Sequence, residues 1–391
     1  MSDHSVSDIR AIRNELVRFY MDPDGLNRRA RGIPEPIIYH DRGIEEWDAV
    51  ALAQGVEEAK RQIRTFPEYK EQHPNEPTPP SGPLQLAIHG QFFTLNGQPW
   101  TAIECSEFSL YKRYLDGEDI RPVLAERQAI GFNLLRVWLL NTSVIPGGLL
   151  PSQYPEFYHR LPDFAAYCAN YGFCIEFTAF TQTKTLMPSA IDQQRHWEYT
   201  IYALRDSPNV LLELVNEDDQ HDNAVDPSLR TMRPSGIIAS SGSNGAGGLA
   251  PVPVWDYGLY HSNGLSEWQR KCAHNAFEKV AELHHIPAMA NENTRYPDQD
   301  NSLAHAEDAA AGAALLSAGS CFHSAAGKLS VPFSAPEFAA ATAWARGAES
   351  VPLEFQQGAY HRRDDLLEPG LIRVYERRLP DGRGHIVRIR A

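Results

Sequence analysis

Residues 210–217 read VLLELVNE, and the chain continues Asp218, Asp219. Val210, Leu211, Leu212, Leu214 and Val215 enclose a single glutamate before the run ends in an amide and carboxylates. A strand apolar at nearly every position is buried on both faces, as in a parallel sheet covered by helices. Other runs of the same kind lie on either side. HGQFFTLNGQPWTAIEC (89–105) carries an Asn-Gly turn and predicts a hairpin leading into a first strand. NLLRVWLL (133–140) and FCIEFTAF (173–180) follow, and after the quoted stretch come GIIAS (236–240), VWDYGLY (254–260), IPAMANE (286–292) and GSCFH (319–323). Helical spacing recurs between them: at 119–131, closed by Gly131, around Phe164 and Cys168, around Trp197 and Ile201, and over 266–284 and 303–317. Eight apolar strands alternating with helices predict an α/β fold, a (β/α)8 TIM barrel. The doubly wound open sheet is the competitor, but no GxGxxG follows the first strand. One crossover does not fit, because SGSNGAGGLAPVP is too rich in Gly and Pro for a helix: either a loop replaces one barrel helix or the strand count is off there, and SGSNGAGG (241–248) reads as a mobile loop over the cleft.

The flanks differ in kind. QHPNEPTPPSGP (72–83) reads as a linker, which divides the chain into a small helical accessory module (1–71), a Pro-rich linker (72–85), the barrel (86–350) and a C-terminal extension (351–391). Within that extension LIRVYERRLPDGRGHIVRIR predicts a β-hairpin about a Pro-Asp-Gly turn, its arginines on a solvated face. A net charge of -14 over 391 residues argues against nucleic acid or an anionic membrane as partner. The five cysteines form no CxxC pair and read as buried thiols. No apolar run reaches signal-peptide or membrane-span length, so the expected location is cytoplasmic, or exported by another route. Nothing in the chain speaks to oligomeric state.

In a (β/α)8 barrel, chemistry sits at the C-terminal ends of the strands. Glu217 ends the fourth strand and Glu292 the seventh, so one mouth can bring them together. Two carboxyls about 5 Å apart suit retaining glycoside hydrolysis, in which one protonates the leaving oxygen and the other attacks the anomeric carbon. Glu217 is then the proton donor, Glu292 the nucleophile, and Asn216 a ligand for the adjacent sugar hydroxyl. Arg136, inside an apolar strand, needs a carboxylate partner, and Glu213 has the right parity. Glu176 reads as structural, and Glu104 and Glu107 as rim residues. The acidic run EDDQHD (217–222) lacks EF-hand spacing and reads as a solvated loop. No metal or organic cofactor is expected.

These motifs resemble clan A glycoside hydrolases, the cellulase and β-mannanase group with family 5-type barrels. LELVNE is similar to their fourth-strand signature, IPAMANENTRYPD to the seventh strand with its nucleophile, and FNLLRVW to the second, whose Arg (here Arg136) steadies that nucleophile. YGLYHSNG resembles the sixth, with an active-site His, here His261. The resemblance spans about residues 90–345 and implies an oligo- or polysaccharide substrate. Asp218 stands where the family has Pro. Asn263 stands where it has Tyr, leaving Tyr257 or Tyr260 as the hydroxyl partner of the nucleophile. CFHSAAG stands where a Trp floors the sugar subsite, leaving Phe322 or His323. Trp138, Trp255, Tyr257 and Tyr296 are candidates to stack on sugar. These departures also admit another class of function, a non-catalytic carbohydrate-binding or structural protein on the same barrel.

Overall fold

The computed structural model describes residues 83–90, 92–220, 222–243, 255–262, 286–293, 296, 303–316, 318–351, 361–379 and 381–390. All belong to the second of two units into which the chain divides, Pro80–Ala391. The 1–71 module, the 266–284 helix, Asn263 and most of the 241–253 loop lie outside the described residues.

Eight parallel strands form the barrel: β1 (Ala102–Ser106), β2 (Leu134–Trp138), β3 (Cys174–Phe180), β4 (Val210–Val215), β5 (Ile238–Ser240), β6 (Gly258–Ser262), β7 (Ala288–Asn293) and β8 (Gly319–Phe322). They hydrogen-bond in the order β5-β4-β3-β2-β1-β8-β7-β6. The sheet is thus a nearly closed (β/α)8 barrel whose two ends are β5 and β6. Asp256, just before β6, ties those ends together: its N–H donates to Ala239 O (2.9 Å), and its carboxylate accepts from Ala239 N (3.0 Å). At the other closure β8 lies so near β1 that a Cβ on Gly319 would stand 2.5 Å from that of Ala102, which is why the position carries glycine.

Helices cover the outside: α1 (Arg121–Ile130), α2 (Arg160–Ala169), α3 (Ala190–Leu204), α4 (Leu303–Leu316) and α5 (Ala335–Glu349). Their ends follow local chemistry. Gly131 closes α1 in the left-handed region, and Ser334 with Glu337 forms a reciprocal capping box on α5. The main apolar core lies between strands and helices, around Leu135, Phe177, Trp197, Phe322 and Trp344.

A second core plugs the N-terminal end of the barrel. Before β1 an antiparallel meander (Leu86–His89, Phe92–Leu95, Gln98–Trp100) turns at Asn96 and Gly97, both at positive φ as a tight hairpin requires. Its Leu86, Phe93 and Trp100 pack on Ala102, Leu134, Cys174, Leu211, Leu259 and Met289, the first inward-facing layer of the barrel. The bottom is therefore sealed by apolar side chains, and everything polar inside the barrel sits above them. The C-terminal extension is a three-stranded antiparallel sheet, a short strand at His361–Arg362 adding to the expected hairpin. Among its arginines, Arg378 bonds Glu376 two residues back on the same strand (2.9 Å). Cys105, Cys168, Cys174 and Cys321 are buried free thiols.

Candidate active site

Inward positions alternate along each strand, so the layer above the apolar plug is set by residues two further on. On β1, β2, β3 and β4 these are Glu104, Arg136, Glu176 and Glu213, all fully buried. Arg136 is the hub. Its guanidinium donates to Glu213 Oε2 (2.8 Å), Asn216 Oδ1 (2.7 Å) and Glu292 Oε2 (2.8 Å), and Glu176 Oε2 lies 3.6 Å away. Glu213 also accepts from Thr178 Oγ1 (2.6 Å) and Ser243 Oγ (2.9 Å). Burial, and then the charge of Glu213, lifts Glu176 to about 7 against the pull of Arg136; Tyr257 and Asn291 donate to its two oxygens. Burial first and Glu176 second push Glu104 well above the carboxylate range. Neither Glu104 nor Glu107 is a rim residue. Glu107 forms a buried ion pair with Arg127 (2.6 Å), whose guanidinium lies over the Phe333 ring.

Glu292 reaches this hub through an irregularity. Ala290 packs outward into the helix-side core, so strict alternation would turn Glu292 outward as well. The β7–β6 register shifts between Ala290 and Glu292, and the bulge turns both Asn291 and Glu292 toward the inside. Burial alone would raise the Glu292 carboxyl. The cationic neighbours His323, His261 and Arg136 overcome this and hold it at about 2, so it is ionised at neutral pH.

Glu217, at the end of β4, sits at φ 44°, a left-handed conformation that a glutamate rarely adopts. The turn is held by Glu217 N to Ser243 Oγ (3.3 Å) and by Gln220 N donating to Glu217 O (2.8 Å). Asp218 N donates to Ser243 O (3.1 Å), a bond that proline at 218 would lack, and the Asp218 carboxylate pairs with Arg230 (2.5 Å). The acidic loop is thus tied by an arginine. His261 Nδ1 stands 3.1 Å from Glu217 Oε1. Burial lowers the His261 imidazole, but Glu292 and Glu217 more than offset this and raise it.

Glu217, His261 and Glu292 each offer an atom within 4.8 Å of the others. Such a trio could hold a divalent ion. A tetrahedral ion would draw ligand atoms to about 3.4 Å from one another, and Glu292 is already neutralised by Arg136.

Other expected site residues are distributed unevenly. Trp138 ends β2 beside the hub, stacked flat on Phe108 (3.7 Å), and its Nε1–H has no hydrogen-bond partner among the described residues. His323 follows β8, its Nε2 3.9 Å from Glu292 Oε1. Tyr257 is not brought to the mouth. It precedes β6, packs edge-on against Phe93 in the bottom core, and its hydroxyl bonds Glu176 from below (2.8 Å). Tyr260 and Phe322 point the other way, into the helix-side core, where Phe322 meets Phe333 and Trp344. Trp255 stacks on Trp197, and Tyr296 lies against Phe322. Ser106, Phe108, Ser243 and Asn291 belong to the site and had no sequence signal beyond their places near strand ends.

Fold and inward-facing residues define a class, a (β/α)8 barrel with a buried arginine–carboxylate hub toward the C-terminal ends of its strands. Solved structures similar to the chain include a glycoside hydrolase family 5 protein from Bacteroides vulgatus (14% identity, 62% of each chain, TM-score 0.47). Others are the β-mannanase of the blue mussel Mytilus edulis (11%, 68% of this chain and 97% of that one, 0.44) and a β-glucanase from Saccharophagus degradans in complex with cellotetraose (13%, 62% and 85%, 0.45). At these identities the likeness concerns the fold alone. The chain covers 65%, 62% and 55% of the length of three of the glycoside hydrolases it matches. No family model and no curated protein matches.

Proposed function

We propose that the chain is a retaining O-glycoside hydrolase acting on an oligo- or polysaccharide. The observation that carries this is the pair Glu217 and Glu292, from opposite strand ends, with carboxyl oxygens within 4.8 Å above Arg136. That separation fits direct attack by a carboxylate rather than by a water held between two carboxyls. Glu292 is the nucleophile. Arg136 occupies its Oε2, so Oε1 attacks the anomeric carbon while Glu217 gives its proton to the departing glycosidic oxygen. The glycosyl ester is then hydrolysed by water that Glu217 deprotonates, and the sugar leaves with its configuration retained. Asn216 Oδ1 accepts from Arg136, which leaves its Nδ2 hydrogens for the neighbouring sugar hydroxyl. His261 and Trp138 are further hydroxyl ligands, since His261 Nε2 and Trp138 Nε1 have no hydrogen-bond partner among the described residues.

A 2-deoxy-2-fluoro glycoside with an activated leaving group tests this directly. Peptide mass analysis should find one covalent fluorosugar, on Glu292. Absence of label across gluco-, manno-, galacto- and N-acetylglucosamine-type reagents would leave the carbohydrate-binding alternative.

A further inference from the structure

The turn that carries Glu217 forms where the backbone ladder between β4 and the chain after β5 loses step. Ser243 N donates to Val215 O (3.1 Å), and Ser243 O accepts from Asp218 N (3.1 Å). In regular parallel pairing those two bonds reach residues two apart, on either side of the one opposite Ser243. Here they reach residues three apart, so the β4 side holds one residue too many. Asn216 N bonds Phe180 O on β3 (3.0 Å), as alternation requires, so the residue skipped by the ladder is Glu217. A buried amide passed over in this way needs another acceptor. Ser243 supplies it, since Glu217 N donates to Ser243 Oγ (3.3 Å). The same hydroxyl gives its own hydrogen to Glu213 Oε1 (2.9 Å), and Glu213 Oε2 accepts from Arg136 (2.8 Å). The direction of this line is fixed at both ends: a backbone amide can only donate, and a carboxylate held by arginine accepts. Glycine at 242 permits the approach, because a Cβ there would stand 2.3 Å from Val215 O.

We propose that Ser243 is a positioning residue for the acid/base: its hydroxyl takes up the amide that the bulge skips and so holds Glu217 in its left-handed turn. The consequence for turnover rests on Glu217 being the proton donor; the hold on the turn does not. Without the hydroxyl, φ 44° at Glu217 keeps its steric cost and loses the bond that offsets it. The C=O of Glu217 is held separately, by Gln220 N (2.8 Å) and Asn223 Nδ2 (3.4 Å), so the loss falls on the N–H side. Rotation there swings the carboxyl away from His261 Nδ1 and from the position of the glycosidic oxygen. The line also joins the two carboxyls by one path. Glu217 hangs on Ser243, Ser243 on Glu213, Glu213 on Arg136, and Arg136 on Glu292. The distance between donor and nucleophile is thus set by bonds inside the barrel.

The test compares full-length wild type, Ser243→Ala and Ser243→Thr by kcat/KM on a phenyl and a dinitrophenyl glycoside. A phenyl leaving group needs the proton of Glu217, and a dinitrophenyl group does not. Displacement of the acid in Ser243→Ala should raise the dinitrophenyl-to-phenyl ratio about tenfold or more, and Ser243→Thr should return it to within about threefold of wild type. A packing defect would lower both substrates alike. An unchanged ratio in Ser243→Ala, or one in Ser243→Thr no nearer to wild type, overturns the proposal. Crystal structures of wild type and Ser243→Ala give a reading that needs no turnover: φ at Glu217 should be positive in the first and negative in the second. A wild-type Glu217 N–H turned away from Ser243 Oγ, or a positive φ kept in Ser243→Ala, also overturns it. If Ser243→Ala does not fold, Ser243→Cys, whose sulfur is a weak acceptor, takes its place with the same two readings. A wild type that turns over neither glycoside while φ changes as expected upholds the hold on the turn and overturns only the acid role.

Discussion

Replacing Glu292 with Gln separates its chemical role from its structural one. The carboxyl falls from its ordinary value of 4.5 to about 2 in the folded chain. A folded value below the unfolded one means that the native state favours the ionised form. The resulting stabilisation is fully present above about pH 4.5 and disappears as pH falls through 2. That depression corresponds to about 3 kcal/mol at pH 7, of which linkage removes about 2 kcal/mol by pH 3. Glutamine keeps an oxygen for Arg136 Nη1, so the barrel should hold its shape while losing the charge term. The variant should therefore fold at pH 7, be less stable than wild type by up to about 3 kcal/mol, and turn over no glycoside. Urea unfolding of both proteins at several values between pH 3 and 7 measures the difference. It should shrink toward acid and level off above about pH 5.5. A difference that stays constant over that range would refute the argument that His323, His261 and Arg136 hold Glu292 ionised, whatever happens to activity.

Other perturbations bear on neighbouring groups. Glu217→Ala should slow glycosides with poor leaving groups by about 10²–10⁴ while sparing dinitrophenyl glycosides, with azide restoring turnover; equal losses on both substrates would remove Glu217 from the acid role. Arg136→Met leaves Glu213 and Glu292 without their cation and should cost about 3–5 kcal/mol in urea unfolding; a loss under about 1 kcal/mol would contradict its place as hub. Glu176 is raised to about 7, so its penalty grows as pH rises from 4.5 through 7, and Glu176→Gln should gain on wild type at pH 8 relative to pH 5 in a melting series. Asp218→Asn should cost no more than about 1 kcal/mol, and millimolar calcium should not shift the melting temperature of the wild type; a calcium-dependent rise abolished by Asp218→Asn would mark a cation site instead of the Arg230 pair.

What was legible in the chain was what period and position determine. Eight apolar runs between helical segments led to the barrel, and residues ending runs four and seven led to the two carboxyls. Parity along one strand was enough to pair Arg136 with Glu213, because β4 keeps its alternation through that point. Tyr257 was misplaced by a boundary. The run VWDYGLY reads as strand from 254, whereas β6 begins at Gly258, which leaves Tyr257 at the sealed end of the barrel. Glu292 reached its expected place by a route that the sequence does not display. Counting by twos from Ala290 points it at the helices, and only the bulge at Asn291 returns it to the mouth.

The polar layer was hardest to see, because protonation state balances it as much as residue type does. Five carboxyls with a single arginine among them would read as a repulsive cluster if all were ionised. Burial instead raises both Glu104 and Glu176, the latter to about 7, while Arg136 binds Glu213 and Glu292 directly. Glu104 reads as a rim residue from its place after the first strand, but β1 runs Ala102–Ser106 and turns it inward, fully buried. The same economy of charge leaves Glu292 the ionised carboxylate facing the mouth with cations on several sides, which is the condition a glycosyl-accepting nucleophile requires.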